Sequence, residues 1–269
     1  MIRRPPRSTL SSSSAASDVY KRQCLNYAVT RPVLPGRLLG APCSMKALVV
    51  LAIATHSSLA HAATFLSPGD PIVGGQVQGQ AFEVGGEGFV AGFNNWPGGE
   101  PPGDLINGVI GGGGEKYLNF GELNTGIVVS PTAGGGLPSI VTGIEFWVAN
   151  DAPERDPSSF QLWGSNAEIN LSGTSIPLTD FSLIASGGLS LPNGRDNTPD
   201  GTGFSEVVEF TNDGAYTHYM LIFPTVNNEA IANSMQLSEV QFEGTFVPEP
   251  STTLVALIGL VPLLRRRRP

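Results

Sequence analysis

The chain has 269 residues, with 34 glycines, 22 prolines and a formal net charge of −8. Between residues 63 and 246 the basic residues are Lys116, Arg155 and Arg195, against 21 Asp and Glu residues, which leaves a formal charge of −18 on this stretch. Because phosphate binding requires clustered Lys and Arg, this balance excludes nucleic acid as a partner. An anionic polysaccharide is also repelled unless a divalent cation bridges the two.

Residues 1–44 precede Met45, which we expect to be the start site. Residues 1–23 are basic and serine-rich and lack apolar periodicity. This is typical either of read-through from a sequencing adapter or of a disordered tail. We favour the first interpretation, in which residues 1–44 are an untranslated leader. Both cysteines, Cys24 and Cys43, lie in this segment, so we expect no disulfide and no thiol chemistry in the remainder.

Residues 45–62 have the three parts of a secretory signal peptide. Lys46 provides the positive charge, residues 47–54 (ALVVLAIA) form the apolar stretch, and Ala60-His61-Ala62 has the small-x-small pattern of a cleavage site. The apolar stretch is much shorter than the roughly 20 residues of a membrane-spanning helix. The alternative, a buried core helix, lacks amphipathic neighbours. We therefore expect export, with cleavage before Ala63.

Residues 63–246 are predicted to form one all-β domain of about eight strands. Helical periodicity is absent, and short apolar or alternating runs recur between Gly, Pro, Asn and Asp. In residues 141–149, Ile144, Phe146 and Val148 share one face. Residues 218–223 are apolar at nearly every position, as expected of a central strand covered on both faces. The pattern indicates a β-sandwich or jelly roll, with strands at 116–120, 127–129, 141–149, 159–163, 181–185, 206–210, 218–223 and 235–242.

Residues 247–269 (VPEPSTTLVALIGLVPLLRRRRP) combine a proline-flanked glutamate, a short apolar segment and a terminal arginine cluster. The prolines keep the first part extended. The apolar segment, residues 254–264, is short for a membrane span, and arginines on the cytoplasmic side leave the preceding domain outside. The combination resembles the PEP-CTERM sorting signal, carried here by Pro248, Glu249, Pro250, Arg265, Arg266, Arg267 and Arg268.

This resemblance implies a short C-terminal transmembrane helix that holds the chain transiently in the inner membrane. It also implies an exosortase-type processing enzyme, a membrane thiol protease-transpeptidase, that removes the tail. The expected destination is the cell envelope, the outer surface or the extracellular polysaccharide matrix of a Gram-negative cell.

A second resemblance covers about residues 103–244. The order of KYLNFGELNTGIVVSP, VTGIEFWVANDAPERDPSSFQLWGSN, YMLIFPT and SMQLSEVQFEG is similar to that in the galactose-binding-like jelly roll. This is the fold of the discoidin, or coagulation factor V/VIII type C, superfamily. The resemblance implies a domain that binds glycans or surfaces, although the fold alone does not specify the ligand.

We do not expect an enzyme. His218 is the only histidine after the signal peptide and lies in the most apolar predicted strand, and no cysteine follows Met45. A Ser-His-Asp or Cys-His set therefore lacks its members. A carboxylate pair for glycoside hydrolysis stays open among so many acids. We predict a non-catalytic module associated with polysaccharide. The alternatives are a purely structural adhesion or surface protein without a specific ligand, and a glycan hydrolase.

A calcium site is a further prediction. Glu239 falls on the inward face of the last predicted strand, and a buried carboxylate needs a cation or strong hydrogen bonds. Galactose-binding-like domains often hold a structural calcium with a loop Asp or Asn, backbone carbonyls and a glutamate of the final strand. The resemblance places Asp104, Asn107 and Glu239 at these positions, and oxygen-only ligation suits Ca²⁺. The alternative is a β-bulge near Ser238 that turns Glu239 to solvent.

The two arginines of the domain have two interpretations. Arg155, in the loop 151–156 (DAPERD), is predicted to pair with Asp151, Asp156 or another acid and so to fix the turn. The alternative is a sugar-binding rim, in which Arg155 or Arg195 forms hydrogen bonds with hydroxyl groups.

Three tryptophans are candidates for stacking on a sugar ring. Trp96 lies in a segment rich in Gly and Pro (FNNWPGGEPPGD), where we expect an aromatic side chain to be exposed, and it is the preferred platform. Trp147 and Trp163 lie in predicted strands and are expected to pack.

Overall fold

The computed structural model describes residues 63–195, 197 and 203–247, which form a β-sandwich, so the predicted fold class is confirmed. The helical segments of this part are short: 3-10 turns at Pro102–Ile106, Pro153–Arg155 and Leu178–Asp180, and one turn, α1, at Ala133–Gly136. The strands are β1 (Ala63–Thr64), β2 (Ile72–Gln78), β3 (Ala81–Val84), β4 (Gly86–Glu87), β5 (Asn95–Trp96), β6 (Tyr117–Asn119), β7 (Thr125–Val129), β8 (Ser139–Trp147), β9 (Ser159–Ser165), β10 (Ser175–Pro177), β11 (Ser182–Gly188), β12 (Ser205–Glu209), β13 (His218–Phe223), β14 (Met235–Leu237) and β15 (Glu239–Phe246).

Two antiparallel sheets make up the sandwich. The smaller has the order β1-β15-β8-β12, and the larger has the order β10-β3-β2-β7-β13-β9-β11. Two small ribbons accompany them: the antiparallel pair β14-β6 and the parallel pair β4-β5. Neighbours in the sheets are often distant in the chain, because β15 lies between β1 and β8, and β13 lies between β7 and β9.

The main core lies between the two sheets. Phe146 of β8 meets Phe223 of β13 with ring centroids 6.3 Å apart, and Tyr219 of β13 meets Phe242 of β15 at 5.4 Å. All four rings are fully buried. Aromatic side chains bury large apolar areas, so these contacts between the sheets contribute strongly to the stability of the sandwich.

Strand β13 is covered on both faces, as predicted. Its residues Tyr219, Leu221 and Phe223 face the main core, whereas Met220 and Ile222 belong to a second apolar cluster on the other side of the larger sheet. The predicted alternation in β8 is also confirmed, because Ile144, Phe146 and Val148 are buried while Glu145 and Trp147 are half-buried.

Several strands were not predicted from the sequence, among them β2 and β3. Strand β2 contains Gly74 and Gly75, which weaken a strand pattern. A Cβ atom at Gly74 would come within 2.6 Å of the Pro102 side chain and 2.5 Å of the Tyr117 hydroxyl. The glycine is therefore required by close packing. The last predicted strand is also divided. Strand β14 ends at Leu237, and β15 begins at Glu239 after the single residue Ser238.

The connections separate into two ends of the sandwich. In the smaller sheet, the end of β8 at Trp147 pairs with the first residues of β12 and β15. In the larger sheet, the first residue of β7 pairs with the last residue of β13. We call this the loop end. It carries the connections 97–116, 120–124, 148–158 and 224–234, and the described part of 189–204. The chain enters at β1 and leaves after Phe246 at the opposite end, where Ser139 pairs with Phe246.

Candidate functional site

Three connections at the loop end enclose an open pocket with a volume of about 230 Å³. They are the β8–β9, β11–β12 and β13–β14 connections. The volume lies below the roughly 300–1,000 Å³ of pockets for drug-sized ligands, so the pocket suits one small unit of a larger ligand. Its polar lining comes from Asp156, Ser158, Ser190, Asn193 and Asn227, and Leu189 and Leu191 add apolar contacts.

Backbone hydrogen bonds hold the three connections together below the pocket. The Asn227 N–H donates to the Asp156 carbonyl at 2.7 Å, and the Leu189 N–H donates to the Ser158 carbonyl at 2.9 Å. The Ser158 N–H donates to the Thr225 carbonyl at 3.0 Å. The polar lining is thus fixed relative to the sheets, and a ligand need not order these loops on binding.

A buried ion pair lies at the pocket. Arg195 Nη2 donates to Asp156 Oδ2 at 2.5 Å, and Nη1 donates to the carbonyl oxygens of Pro192 and Gly194. Asp156 is 3% exposed. Burial raises the pKa of Asp156 to about 7, although the Arg195 guanidinium lowers it. The pair therefore places one carboxyl group, held against a guanidinium, in a lining whose other side chains are uncharged.

Two polar atoms of this pair are unsatisfied. Asp156 Oδ1 and Arg195 Nε are buried, and neither has a hydrogen-bond partner in the part of the chain that the structure describes. An unsatisfied buried polar atom costs roughly 1–3 kcal/mol, and such atoms in a folded protein are rare. Asp156 lines the pocket, whereas Arg195 is not among its lining residues, and neither unsatisfied atom is exposed to solvent.

An exposed aromatic side chain that sequence reasoning missed lies next to the pocket. Phe204 is 46% exposed, and its ring packs on Gly194, where a Cβ atom would come within 2.5 Å of it. Gly194 directly follows Asn193 of the pocket lining. In the sequence, Phe204 follows a short glycine-containing stretch without alternation. That local pattern does not show that Phe204 contacts Gly194.

The arginine that fixes a loop is not the one that was predicted. Arg195 forms an ion pair with Asp156, and the Lys116 amine forms one with Asp151 at 2.8 Å. Within residues 63–195, 197 and 203–247, Arg155 forms no ion pair shorter than 4.0 Å. The predicted pairing of Arg155 with Asp151 or Asp156 is therefore wrong, because two better-placed cations already occupy these carboxylates.

Lys116 is the buried centre of a second polar network at the β8–β9 connection. It is 3% exposed and also donates to Asn150 Oδ1 and Gln236 Oε1, each at 3.2 Å. The Gln236 amide in turn donates to the backbone carbonyls of Asp151 and Ala152. Ala152 has a φ of +41°, a left-handed conformation that costs a residue with a side chain about 1–3 kcal/mol. The network holds the β8–β9 connection in this strained shape.

The predicted stacking residue Trp96 is not an exposed platform. It is half-buried on β5, packs against the main core and meets Tyr117 with ring centroids 5.9 Å apart. Trp163 packs against the second apolar cluster, as predicted for a strand residue.

The three predicted calcium ligands lie near one another at the loop end. Glu239 is 3% exposed, so the strand break at Ser238 does not turn it to solvent. Glu239 Oε2 accepts the Gly108 N–H at 3.2 Å. Asn107 Nδ2 faces Asp104 Oδ1 at 3.5 Å, and its Oδ1 accepts the Val109 N–H at 2.7 Å.

Burial and charge raise the pKa of two of these carboxyl groups. Burial raises the pKa of Glu239 to about 8, although backbone hydrogen bonds from Gly108 and Asn107 lower it. Burial and then the Glu115 carboxylate raise the pKa of Asp104 to about 6. A cation would relieve both effects. The fit to calcium is nevertheless partial, because no group of three or more acidic, His or Cys side chains in the described residues is placed to hold a metal ion.

The single histidine of the domain has a structural contact. His218 is half-buried, and its Nδ1 lies 2.6 Å from Ser130 Oγ. Burial lowers the pKa of His218. The hydrogen bonds found for the described residues join no carboxylate to this ring, so a Ser-His-acid set does not form there.

Three predictions concern residues outside the described part of the chain. They are the leader 1–44, the signal peptide 45–62, and the sorting tail with its residues Pro248 to Arg268. In the described part, no helix is long and apolar enough to cross a membrane.

Comparison with known proteins gives matches of structure alone. No protein-family model matches the chain, and no curated protein sequence matches it. The family 32 carbohydrate-binding module of Clostridium perfringens NanJ, solved in complex with galactose, has 10% identity and a TM-score of 0.41 and covers 67% of this chain and 99% of its own. The CBM62 of Clostridium thermocellum Xyl5A has 14% identity and a TM-score of 0.37, with coverage of 69% and 99%.

A fucolectin from the serum of the striped bass Morone saxatilis has 17% identity and a TM-score of 0.38, and covers 60% of this chain and 47% of its own. Identities and TM-scores this low do not indicate a ligand or a function for this chain.

Proposed function

We propose that this protein is a non-catalytic glycan-binding module whose pocket at the loop end takes one neutral sugar unit of a polysaccharide. The carrying observation is the open pocket of about 230 Å³ with its polar lining, which includes Asp156 of the buried Asp156–Arg195 pair. The amide side chains of Asn193 and Asn227 add hydrogen-bonding groups to the lining. Phe204 supplies an apolar ring beside them, and aromatic rings commonly pack on the apolar face of a ligand.

The charge of the domain supports an uncharged ligand. Residues 63–246 carry a formal charge of −18, and the pocket itself is lined by a carboxylate. A uronic acid or a sulfated sugar would meet repulsion across the loop end. Neutral polysaccharides have no such penalty and offer pairs of neighbouring hydroxyl groups.

The test is a glycan array followed by titration calorimetry. Binding of one or more neutral glycans, weakened by Phe204→Ala, is expected. Leu183→Ala is the matched control, because Leu183 is 50% exposed and lies at the other end of the sandwich. An array without any bound glycan would support the alternative, a structural adhesion or surface protein. Turnover of a bound polysaccharide, abolished by one carboxylate substitution, would support a hydrolase instead.

We further propose export and sorting by an exosortase-type enzyme to the cell surface or the extracellular polysaccharide matrix. The support is the order of Pro248-Glu249-Pro250, the apolar segment 254–264 and four terminal arginines. Mass spectrometry of the protein recovered from the cell surface tests this proposal. Chains that lack the tail are expected, and intact tails would contradict it.

Calcium at Asp104, Asn107 and Glu239 is also a proposal. Its support is a buried carboxylate without a cationic partner among the described residues, next to a second carboxylate whose pKa is also raised. Bound calcium would stabilise the ionised carboxylates and tie β15 to the 102–108 turn. We expect calcium to raise the melting temperature relative to EDTA, and equal melting temperatures would contradict the proposal.

A further inference from the structure

The edge strands of the two sheets differ in how well they are protected against pairing with a further strand. In the described part of the chain, the edges are β1 and β12 of the smaller sheet and β10 and β11 of the larger sheet. Short strands, prolines and charged side chains protect such edges, because open backbone groups pair readily with another chain. Strand β1 has two residues, β10 has three and includes Pro177, and β12 carries Glu206 and Glu209. Three of these edges are therefore protected.

Strand β11 is long and contains neither a proline nor a charged side chain. Its seven residues, SLIASGG, form an edge about 23 Å long. One side of β11 pairs with β9, and in the part of the chain that the structure describes no strand pairs with the other side. A bulge lies between Leu183 and Ala185, but the residues from Ala185 to Gly188 keep a regular register with β9. Because alternate residues of an antiparallel strand direct N–H and C=O groups away from the partner, β11 presents donors and acceptors on its open side.

The charge pattern around β11 favours a partner that is itself acidic. Residues 181–194 (FSLIASGGLSLPNG) contain no charged side chain, although residues 63–246 carry a formal charge of −18. A basic partner would be attracted by acidic side chains along the edge, and this segment has none. An acidic partner would be repelled by such side chains, so an uncharged edge permits its approach.

We propose that β11 pairs in antiparallel orientation with β11 of a second copy of this chain. Pairing of one strand with itself about a two-fold axis is self-complementary, so both open edges are covered at once. Leu183, which is 50% exposed on β11, gains an apolar contact in such a dimer. Ser186 lies near the middle of β11 and does not line the pocket, so this inference does not depend on the proposed glycan site.

The dimer is expected to be weak and to depend on salt. A strand edge about 23 Å long and about 10 Å thick offers about 230 Å², well below the roughly 800 Å² per partner of a standard interface. Backbone hydrogen bonds supply the affinity in this mode of pairing. Glu206 accepts the Ser190 N–H at 2.7 Å just beyond the end of β11, so the dimer brings the Glu206 carboxylates of both copies towards the interface. Because salt screens their repulsion, higher ionic strength is expected to strengthen association.

The experiment is sedimentation equilibrium of the full chain with charge variants of Ser186. Ser186→Glu and Ser186→Lys each bring like charges together across the two-fold axis, so each is expected to weaken self-association at least about fivefold. An equimolar mixture of the two is expected to associate more strongly than either variant alone, because opposite charges then face each other. Ser172→Glu and Ser172→Lys, at an exposed turn before β10, are the matched controls and are expected to associate like the wild type. All variants share the apolar segment 254–264, so differences among them report on β11.

Hydrogen exchange gives a local readout of the same contact. The amides of residues 182–188 are expected to exchange more slowly as the protein concentration rises, and those of β12 are not. A wild type that stays monomeric at about 1 mM, or a mixture that associates no better than its components, would overturn the proposal. Protection of β11 that does not depend on concentration would also overturn it and would assign this edge to another segment of the same chain.

Discussion

Replacing Glu239 with Gln tests how the buried carboxylates couple stability to pH. Burial raises the pKa of Glu239 from 4.5 to about 8 in the folded protein. Between these pH values the folded protein keeps a proton that the unfolded chain has already lost. The free energy of unfolding therefore falls as the pH rises through this window. Raised pKa values at Asp104 and Asp156 act in the same direction.

The magnitude follows from the shift. One pKa unit corresponds to about 1.4 kcal/mol, so Glu239 alone lowers the free energy of unfolding by roughly 3 kcal/mol between about pH 4.5 and about pH 7. Glu239→Gln carries no titrating proton and removes this contribution. The variant is expected to be more stable than the wild type near neutral pH and equally stable in acid.

The assay is urea denaturation in EDTA, followed by tryptophan fluorescence at several pH values. Glu243→Gln is the matched control, because it makes the same substitution at a half-buried position of the same strand. This variant keeps Glu239 and is expected to keep the loss of stability that Glu239 causes. A wild type whose stability rises with pH would refute the reasoning, as would a Glu239→Gln variant with the wild-type slope. If calcium binds, adding it should abolish the fall of the free energy of unfolding with rising pH in the wild type. Calcium should not change the stability of Glu239→Gln.

Two backbone positions give further predictions. Ala152→Gly should raise the free energy of unfolding by about 1 kcal/mol, since φ is +41° there and glycine has no steric penalty in that region; a lower denaturation midpoint would contradict this. Gly126→Ala should destabilise the protein by more than about 3 kcal/mol, since its Cβ would overlap the Leu221 carbonyl. Gly113→Ala is the control, since its nearest neighbour would lie 3.8 Å away, and equal midpoints for the two variants would contradict the packing argument.

The all-β class could be predicted because short runs with period two survive in the core strands. In β8 and β13 the alternation and the all-apolar run correspond directly to burial on one face and on both faces. Strand β2 could not be recognised, because its paired glycines are required by the approach of Tyr117 and Phe82 and not by any local preference. The local sequence of such a strand does not show which distant segments pack against it.

The candidate site was predictable only in its residue types. Arg195 was a candidate from the sequence, but its partner Asp156 is 39 residues away, in the β8–β9 connection. Trp96 was expected to be exposed because of its Gly- and Pro-rich surroundings, yet its ring packs on Tyr117. Phe204 and Gly194 meet across the β11–β12 connection. Local composition does not determine which loop side chains meet across an end of the sandwich.

The most direct measurement of the central claim is titration calorimetry of the wild type, Arg195→Gln and Arg155→Gln with a neutral glycan found on the array. Both substitutions remove one positive charge from the same end of the domain, but only Arg195 pairs with the buried Asp156. Removing one partner of such a pair typically costs several kcal/mol. We predict that Arg195→Gln weakens binding at least about tenfold while Arg155→Gln binds like the wild type. Equal affinities for all three proteins would contradict a glycan site at the Asp156–Arg195 pocket.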